Sequence, residues 1–266
     1  MMNITIGCAG WSYKDWIGTF YPKNLNVSEH LTFYSKYYDH VEINATFYNL
    51  PSQEMVINWS NRVSDDFRFS VKVWKEITHE SDQDNLDYII DQFFTQLEPL
   101  NDKISHYLLQ FPPWFKFSEK HLEYLKKIIN RLPKTNKYVI ELRDNAWFEE
   151  TIINQFVFKP NIILATSYLE DLVPYYQPNQ TSYYIRLIGD RKLQTFKVVQ
   201  REKKNEIDQV LRKIKQLENE KTIKEIFIIV NNHYTGFAPE TANELKKQLG
   251  QPFHQFSTQK TLTDFL

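Results

Sequence analysis

Disulfides, membrane spans and secretion signals have no support in this sequence. Its single cysteine, Cys8, rules out an intramolecular disulfide. Its apolar runs are far shorter than the roughly 20 residues that cross a bilayer. The first residues, MMNITIGCAGWSY, lack the basic segment and apolar core of a secretory signal. A reduced thiol without a targeting segment predicts a soluble protein of the cytoplasm.

Neither sign of charge is in excess, and glycine motifs for phosphate binding are missing. Lys and Arg number 32 against 33 Asp and Glu, a net charge of −1, so composition gives no general reason to bind nucleic acid or membranes. The first strand-to-helix turn reads GCAGW rather than GxGxxG, and no P-loop occurs. We therefore predict no cofactor and no membrane partner. A local basic patch leaves nucleic acid open but not favoured, and the oligomeric state is left open.

Short β-branched or aromatic runs alternate with longer runs of helical period along the whole chain. Apolar residues make up 42% of the sequence and aromatic residues 15%, enough for a large core. Eight runs are predicted strands: Asn3–Cys8, His40–Asn44, Phe67–Val73, His106–Gln110, Lys137–Leu142, Asn161–Ala165, Ser182–Ile188 and Glu225–Val230.

The intervening helices differ in clarity. NLDYIIDQFFTQL carries one apolar stripe, and SEKHLEYLKKIINRL begins at Ser118, a suitable N-cap. Further predicted helices are SEHLTFYSKYY, PSQEMVINWSNR, KNEIDQVLRKIKQL and PETANELKKQLG; the helix after strand five is short, and the one after strand six is hardly visible. Alternating strands and helices imply parallel pairing. The pattern predicts one α/β domain over residues 1–266, a single (β/α)8 TIM-type barrel with eight parallel strands.

Polar residues occupy strand positions that should face the barrel interior. In VEINATFYNLP, Val41 and Ile43 alternate with Glu42 and Asn44, and alternate residues of a barrel strand face the helices and the lumen. The same reading directs further polar side chains to the lumen or the strand ends: Lys72, Gln110, Glu141, Arg143, Arg186 and Asn231. Because barrel enzymes build their sites at the carboxyl ends of the strands, a polar pocket is predicted there.

Several long motifs run from Ile4 to about Leu249: IGCAGWSYKDWIGTFYP, YSKYYDHVEINATFYNLPS, FRFSVKVWKEITH, LLQFPPWF, VIELRDNAWF and IIVNNHYTGFAPETANEL. Together they resemble the YecE-like family, domain of unknown function 72. The resemblance implies a TIM-type barrel and leaves the activity open. Asn49 stands where relatives often have arginine, and Asp144-Asn145-Ala146 where they often have His-Pro-Ser. No role is carried over to these positions.

Glu42 and Glu141 are the predicted catalytic residues. Two carboxylates at one mouth can act as general acid and general base, and in a glycosidase-type pair their separation sets the outcome. We assign Glu141 the acid or base role and Glu42 that of its partner or orienter. The alternative is a buried ion-pair network with the neighbouring Lys and Arg residues. Such networks cost desolvation and are often not stabilising, which favours a site.

Cationic, amide and aromatic side chains are predicted to bind the substrate. Lys72, Arg143 and Arg186 suit an anionic group, because Arg presents a bidentate fork to phosphate or carboxylate; charge balance for the glutamates is the alternative. Amides supply neutral hydrogen bonds, and aromatics after strands stack on a ring or pack the loops. The predicted substrate-binding residues are Asn44, Lys72, Gln110, Arg143, Arg186, Asn231, Trp11, Tyr13 and Trp147.

Two further chemistries have weaker support. Glu42, Glu141, His79 and His233 are conceivable metal ligands, but no HxxxH, HExxH or DxD spacing supports a site at these residues, so no metal site is predicted. Cys8 has no identifiable histidine or asparagine partner for nucleophilic catalysis. It is predicted to be a small buried thiol.

The sequence therefore favours an enzyme that acts on a small polar or anionic substrate, such as a sugar phosphate or a nucleotide-like compound. Hydrolase- or lyase/isomerase-type acid/base chemistry would take place at the C-terminal mouth of the barrel. The alternative is a non-catalytic barrel that binds nucleic acid or protein. Such a binder needs a broad basic surface, whereas the helices here mix Lys with Glu, as in SEKHLEYLKK. A barrel by itself supports many chemistries.

Overall fold

Eight parallel strands close into a barrel in a computed structural model that describes residues 2–79, 85–157 and 159–254. The strands are β1 Asn3–Ala9, β2 His40–Ile43, β3 Arg68–Lys72, β4 Ile104–Gln110, β5 Tyr138–Glu141, β6 Ile162–Leu169, β7 Ser182–Gly189 and β8 Glu225–Val230. Each pairs with the next along the chain, and β8 returns to β1 from Asn3 opposite Glu225 to Cys8 opposite Val230. The predicted TIM-type barrel is confirmed.

Helices follow most of the strands. They are α1 His30–Tyr34, α2 Gln53–Asn61, α3 Lys75–Thr78, α4 Leu86–Leu97, α5 Glu119–Arg131, α6 Glu150–Ile153, α7 Lys204–Glu218, α8 Asn232–Thr235 and α9 Ala238–Gln248. Ser118 caps α5 by accepting a hydrogen bond from His121 N at 3.2 Å. Helix α1 is shorter than predicted, and at its end the Ser35 hydroxyl bonds back to Thr32 O at 3.0 Å. Within the described ranges, no helix has the length and apolarity to cross a membrane.

Apolar strand residues form two separate cores. Val41 and Ile43 are fully buried in the outer core, between the strands and the helices. A smaller cluster fills the lumen and includes Leu108, Val139 and Phe227. Alternate residues of one strand thus enter different environments, as the period of two predicted.

The amino-terminal end of the barrel contains a cavity of about 620 Å³, and several charged side chains in its wall bond to one another or to the backbone. Lys137 Nζ lies 3.0 Å from Glu225 Oε1, and Arg68 donates to the carbonyl oxygens of Asp65 at 2.6 Å and Phe67 at 3.0 Å. Such contacts suit the stabilising role of this face in TIM barrels. Although this cavity is large, the residues predicted to form a site lie at the opposite end.

Cys8 is fully buried in β1, and its backbone N–H donates to Tyr34 Oη at 2.8 Å. Burial raises the pKa of the thiol to about 12, so the reactive thiolate is scarce at neutral pH. We expect iodoacetamide to leave Cys8 unlabelled in the native protein and to label it fully in denaturant, measured by mass spectrometry. Rapid labelling of the native protein would contradict the buried-thiol prediction.

Candidate functional site

The two predicted catalytic carboxylates share one guanidinium. Arg186 on β7 donates to both oxygens of Glu42 on β2, from Nη2 to Oε1 at 2.6 Å and from Nε to Oε2 at 2.9 Å. Its Nη1 donates to Oε2 of Glu141 at the end of β5. Tyr184 Oη donates a further hydrogen bond to Glu42 Oε2 at 3.1 Å. Since Arg186 is only 4% exposed and the carboxylates are fully buried, this is an ion-pair network inside the lumen.

Arg143 extends the network beyond the strand end. Its Nε donates to Glu141 Oε1 at 2.6 Å, and among the described residues no other group bonds to its guanidinium. Burial alone would raise the pKa of Glu141, but Arg186 and Arg143 outweigh burial and lower it to about 2. Burial likewise works against the charge of Arg186, yet Glu141 and Glu42 raise its pKa. At neutral pH, Glu141 is therefore ionised and has no proton to donate.

Lys72, at the end of β3, is a buried cation. Its Nζ lies 3.7 Å from the centroid of the Phe47 ring, a cation–π contact, and no carboxylate of the described residues pairs with it. Burial and the neighbouring charge of Arg186 lower the pKa of Lys72 to about 7. The side chain is 8% exposed. Both the amine and the ammonium are thus present near neutral pH.

Two more basic residues lie near Lys72 and Arg143. Arg191 follows β7 with a left-handed φ of 60°. Surrounding atoms and the charge of Arg143 lower the pKa of Arg191, although its side chain stays exposed. Burial and then Lys72 lower the pKa of His79 to about 4, so this imidazole is neutral. Arg191 lies two residues after the end of β7, and this position near a strand end was the sequence signal that our prediction missed.

The predicted amide residues border the same end of the barrel. Gln110 is aligned with Glu141 across β4 and β5, and its Nε2 donates to Phe111 O at 2.6 Å. Asn44 is half-buried directly after β2. Asn231 follows β8 and caps α8, since its Oδ1 accepts a hydrogen bond from the backbone N–H of His233 at 3.0 Å. The first and last of these have local structural roles, and their binding roles stay predictions.

Ser167 is a lumen residue that the sequence did not single out. It lies on β6 opposite Arg186 of β7 and is 2% exposed. Its Oγ is buried and has no hydrogen-bond partner among the described residues. The predicted sixth strand ended at Ala165, so the two additional residues that carry this hydroxyl into the lumen were missed.

The three predicted aromatic residues differ in exposure. Trp147 has no exposed surface, stacks on Phe115 with ring centroids 5.4 Å apart and donates from Nε1 to Phe115 O at 2.8 Å. Its contacts therefore support packing. Trp11 is half-buried and meets Trp59 edge-on at 5.7 Å, and Tyr13 Oη donates to a carbonyl of β1 at 2.6 Å. For these two, ligand stacking stays a prediction.

Metal ligation requires several acidic, thiol or imidazole groups to converge. In the parts of the chain that the structure describes, no three His, Cys, Asp or Glu side chains come together in this way. Glu42 and Glu141 are instead bound by Arg186, as described above. Their oxygens are occupied by guanidinium nitrogens.

Comparisons of the sequence point to one family. The family model of DUF72, a protein of unknown function, matches residues 5–264. UPF0759 protein YecE of Escherichia coli K12 is 31% identical over 156 residues, which cover 57% of this chain and 54% of YecE, so the match spans about half of that relative. UPF0759 protein YunF of Bacillus subtilis 168 is 22% identical over 273 residues, covering 92% of this chain and 94% of YunF.

Comparisons of the fold agree. The crystal structure of a DUF72 family protein from Thermotoga maritima MSB8 superposes with a TM-score of 0.78 at 26% identity, covering 94% of this chain and 100% of that one. A DUF72 family protein from Enterococcus faecalis V583 gives a TM-score of 0.77 at 22% identity, covering 97% and 99%. The resemblance seen in the sequence motifs is thereby confirmed, and the chain belongs to the DUF72 family.

Proposed function

We propose that the protein is an enzyme that binds a small anionic substrate at the C-terminal mouth of its barrel. The supporting observation is a local excess of positive charge, because four cations, Lys72, Arg143, Arg186 and Arg191, surround two carboxylates. Both carboxylates are bound to Arg186. The ammonium of Lys72 and the outer nitrogens of Arg143 are then left for a ligand. Phosphate and carboxylate groups accept such donors, with Arg in bidentate geometry.

In this proposal, Glu42 and Glu141 orient the cations and do not transfer protons. The low pKa of Glu141 makes it a weak base at neutral pH. This differs from the acid/base assignment that the sequence suggested, because the sequence did not show that Arg186 binds both carboxylates. Proton transfer falls to a group whose pKa lies near neutrality, which describes Lys72. Gln110 and Ser167 supply neutral hydrogen bonds.

A thermal-shift panel tests the anion site. The ligands are inorganic phosphate, sugar phosphates, simple carboxylates, uncharged sugars and short oligonucleotides. An anion at about 100 times its Kd should stabilise the wild type by about 2.7 kcal/mol. We expect Arg143→Met to lose most of this shift, because it removes donors beside the ligand. Arg212→Met, which removes an exposed arginine of α7, should keep it.

Equal shifts in the wild type and Arg143→Met would contradict the proposal, because stabilisation would then come from general salt effects. Stabilisation by oligonucleotides alone, with a steep dependence on salt, would instead support a nucleic-acid-binding barrel. Uncharged sugars should give no shift in any variant. Stabilisation by uncharged sugars would mean that binding does not require the cations, which would contradict the proposed anion site.

A further inference from the structure

We propose that Lys72 is the reacting residue, and that its amine forms an imine with a small aldehyde or ketone that carries a phosphate or carboxylate group. This inference rests on the proposed anion site and names the class of its substrate. The cations at the mouth bind the anionic group, and Lys72 reacts with the carbonyl carbon.

The position of Lys72 is the first argument. It ends β3 on the lumen side, and Ser70, two residues earlier, joins the buried network through a 2.5 Å hydrogen bond to Tyr184 Oη. Ion pairing with a carboxylate would tie up the ammonium of Lys72, but Glu42 and Glu141 are bound by Arg186. The Phe47 ring contacts the amine on one side without accepting a proton. The amine is therefore held in place and left unpaired among the described residues.

The charges that face Lys72 are the second argument. Arg186 and Arg143 disfavour its protonated form, whereas Glu141 and Glu42 favour it. Burial adds to the effect of the arginines and is the largest influence, and the pKa falls to about 7. Lysines activated as nucleophiles are desolvated or lie beside another cation, and Lys72 meets both conditions. A lysine with a purely structural role would not need to be buried beside two arginines.

The covalent step balances with the groups present. The neutral amine adds to the carbonyl carbon and forms a C–N bond, while the carbonyl oxygen gains a proton. Loss of this oxygen as water then leaves a C=N bond, so amine and carbonyl become imine and water. His79 is neutral and adds no positive charge near the amine, and its ring meets the Phe47 ring edge-on with centroids 4.9 Å apart. Both hydrogens that the amine loses end on the departing oxygen, and water at the mouth can carry these protons.

Reductive trapping tests the imine. The native protein is incubated at pH 7 with pyridoxal 5′-phosphate or glyoxylate, each an aldehyde with an anionic group, and then reduced with sodium borohydride. Peptide mass mapping should find Lys72 modified at least about tenfold faster than any surface lysine, because a pKa near 7 leaves far more free amine. The rate should reach half its maximum near pH 7. Lys116→Met, which removes an exposed lysine, should leave the labelling of Lys72 unchanged.

Glycerol 3-phosphate separates this inference from the anion site, since it has the charge but no carbonyl group. It should bind the wild type and protect Lys72 from labelling. If it stabilises the protein but neither aldehyde traps Lys72, the imine is overturned while the anion site stands. If it neither stabilises nor protects, and labelling is uniform over the lysines, both proposals fail. The mapping uses the wild-type protein, so it does not depend on whether a Lys72 variant folds.

Discussion

Arg186→Met should lower the free energy of unfolding by about 3–5 kcal/mol, the cost of breaking a buried ion pair from one side. Within the described residues, both ion-pair contacts of Glu42 come from Arg186, so the substitution leaves this buried carboxylate without a cationic partner among them. Glu141 retains Arg143. Urea unfolding followed by circular dichroism measures the loss, and a variant too unstable to fold meets the same expectation.

The double variant Glu42→Gln with Arg186→Met is the matched control. It removes the cation and the charge that would be left unpaired, so we expect it to be more stable than Arg186→Met alone. A double-mutant cycle with Glu42→Gln gives the coupling between the two residues. A loss below about 1 kcal/mol for Arg186→Met would contradict a desolvated network, because only solvent-exposed pairs contribute so little.

Lys72→Met should raise the free energy of unfolding by about 2–4 kcal/mol at pH 6. Burial lowers the pKa of Lys72 from its ordinary 10.5 to about 7 in the folded chain. Below pH 7 the amine is protonated in both states, and the folded protein bears the full cost of a buried ammonium. Between pH 7 and 10.5 only the unfolded chain binds this proton, so the stability of the wild type rises with pH.

Urea unfolding of both proteins at pH 6, 8 and 10 measures this difference. The advantage of Lys72→Met should be largest at pH 6 and shrink toward pH 10, while groups common to both proteins cancel in the comparison. An advantage that stays constant with pH would mean that the lysine titrates normally in the folded protein. A residue that lowers stability, although a single substitution could restore it, is characteristic of a site kept for activity. This accords with the imine proposal.

The fold could be predicted because successive residues of a barrel strand face different environments, and the residue types in the sequence alternate accordingly. Val41 and Ile43 enter the outer core, and Glu42 between them enters the lumen. Strand ends were less predictable. Strand β6 extends to Leu169 rather than Ala165. The residues after Ala165 are held in the strand by pairing with β7, which occurs only in the folded barrel. The local pattern of apolar residues in the sequence does not indicate that pairing.

The candidate site was predicted in membership but not in contacts. Alternation directed both glutamates and Arg186 to the lumen, yet only the geometry shows one guanidinium binding both carboxylates. The scaffold role that we propose for the two glutamates rests on that contact. Phe47 was missed as the partner of Lys72, because it lies in a single 3-10 turn after β2, which is too short to show a periodic pattern in the sequence.

The contact between Arg186 and Glu42 also bears on how the chain folds. The two residues are 144 positions apart, and the guanidinium joins β7 to both β2 and β5. Such a contact forms only after most of the chain has been ordered, when the entropy of closing a long loop has been lost. An intermediate with some strands missing holds these charges unpaired. We infer that the network disfavours half-built and misaligned barrels, and so helps to select a single closed arrangement of the eight strands.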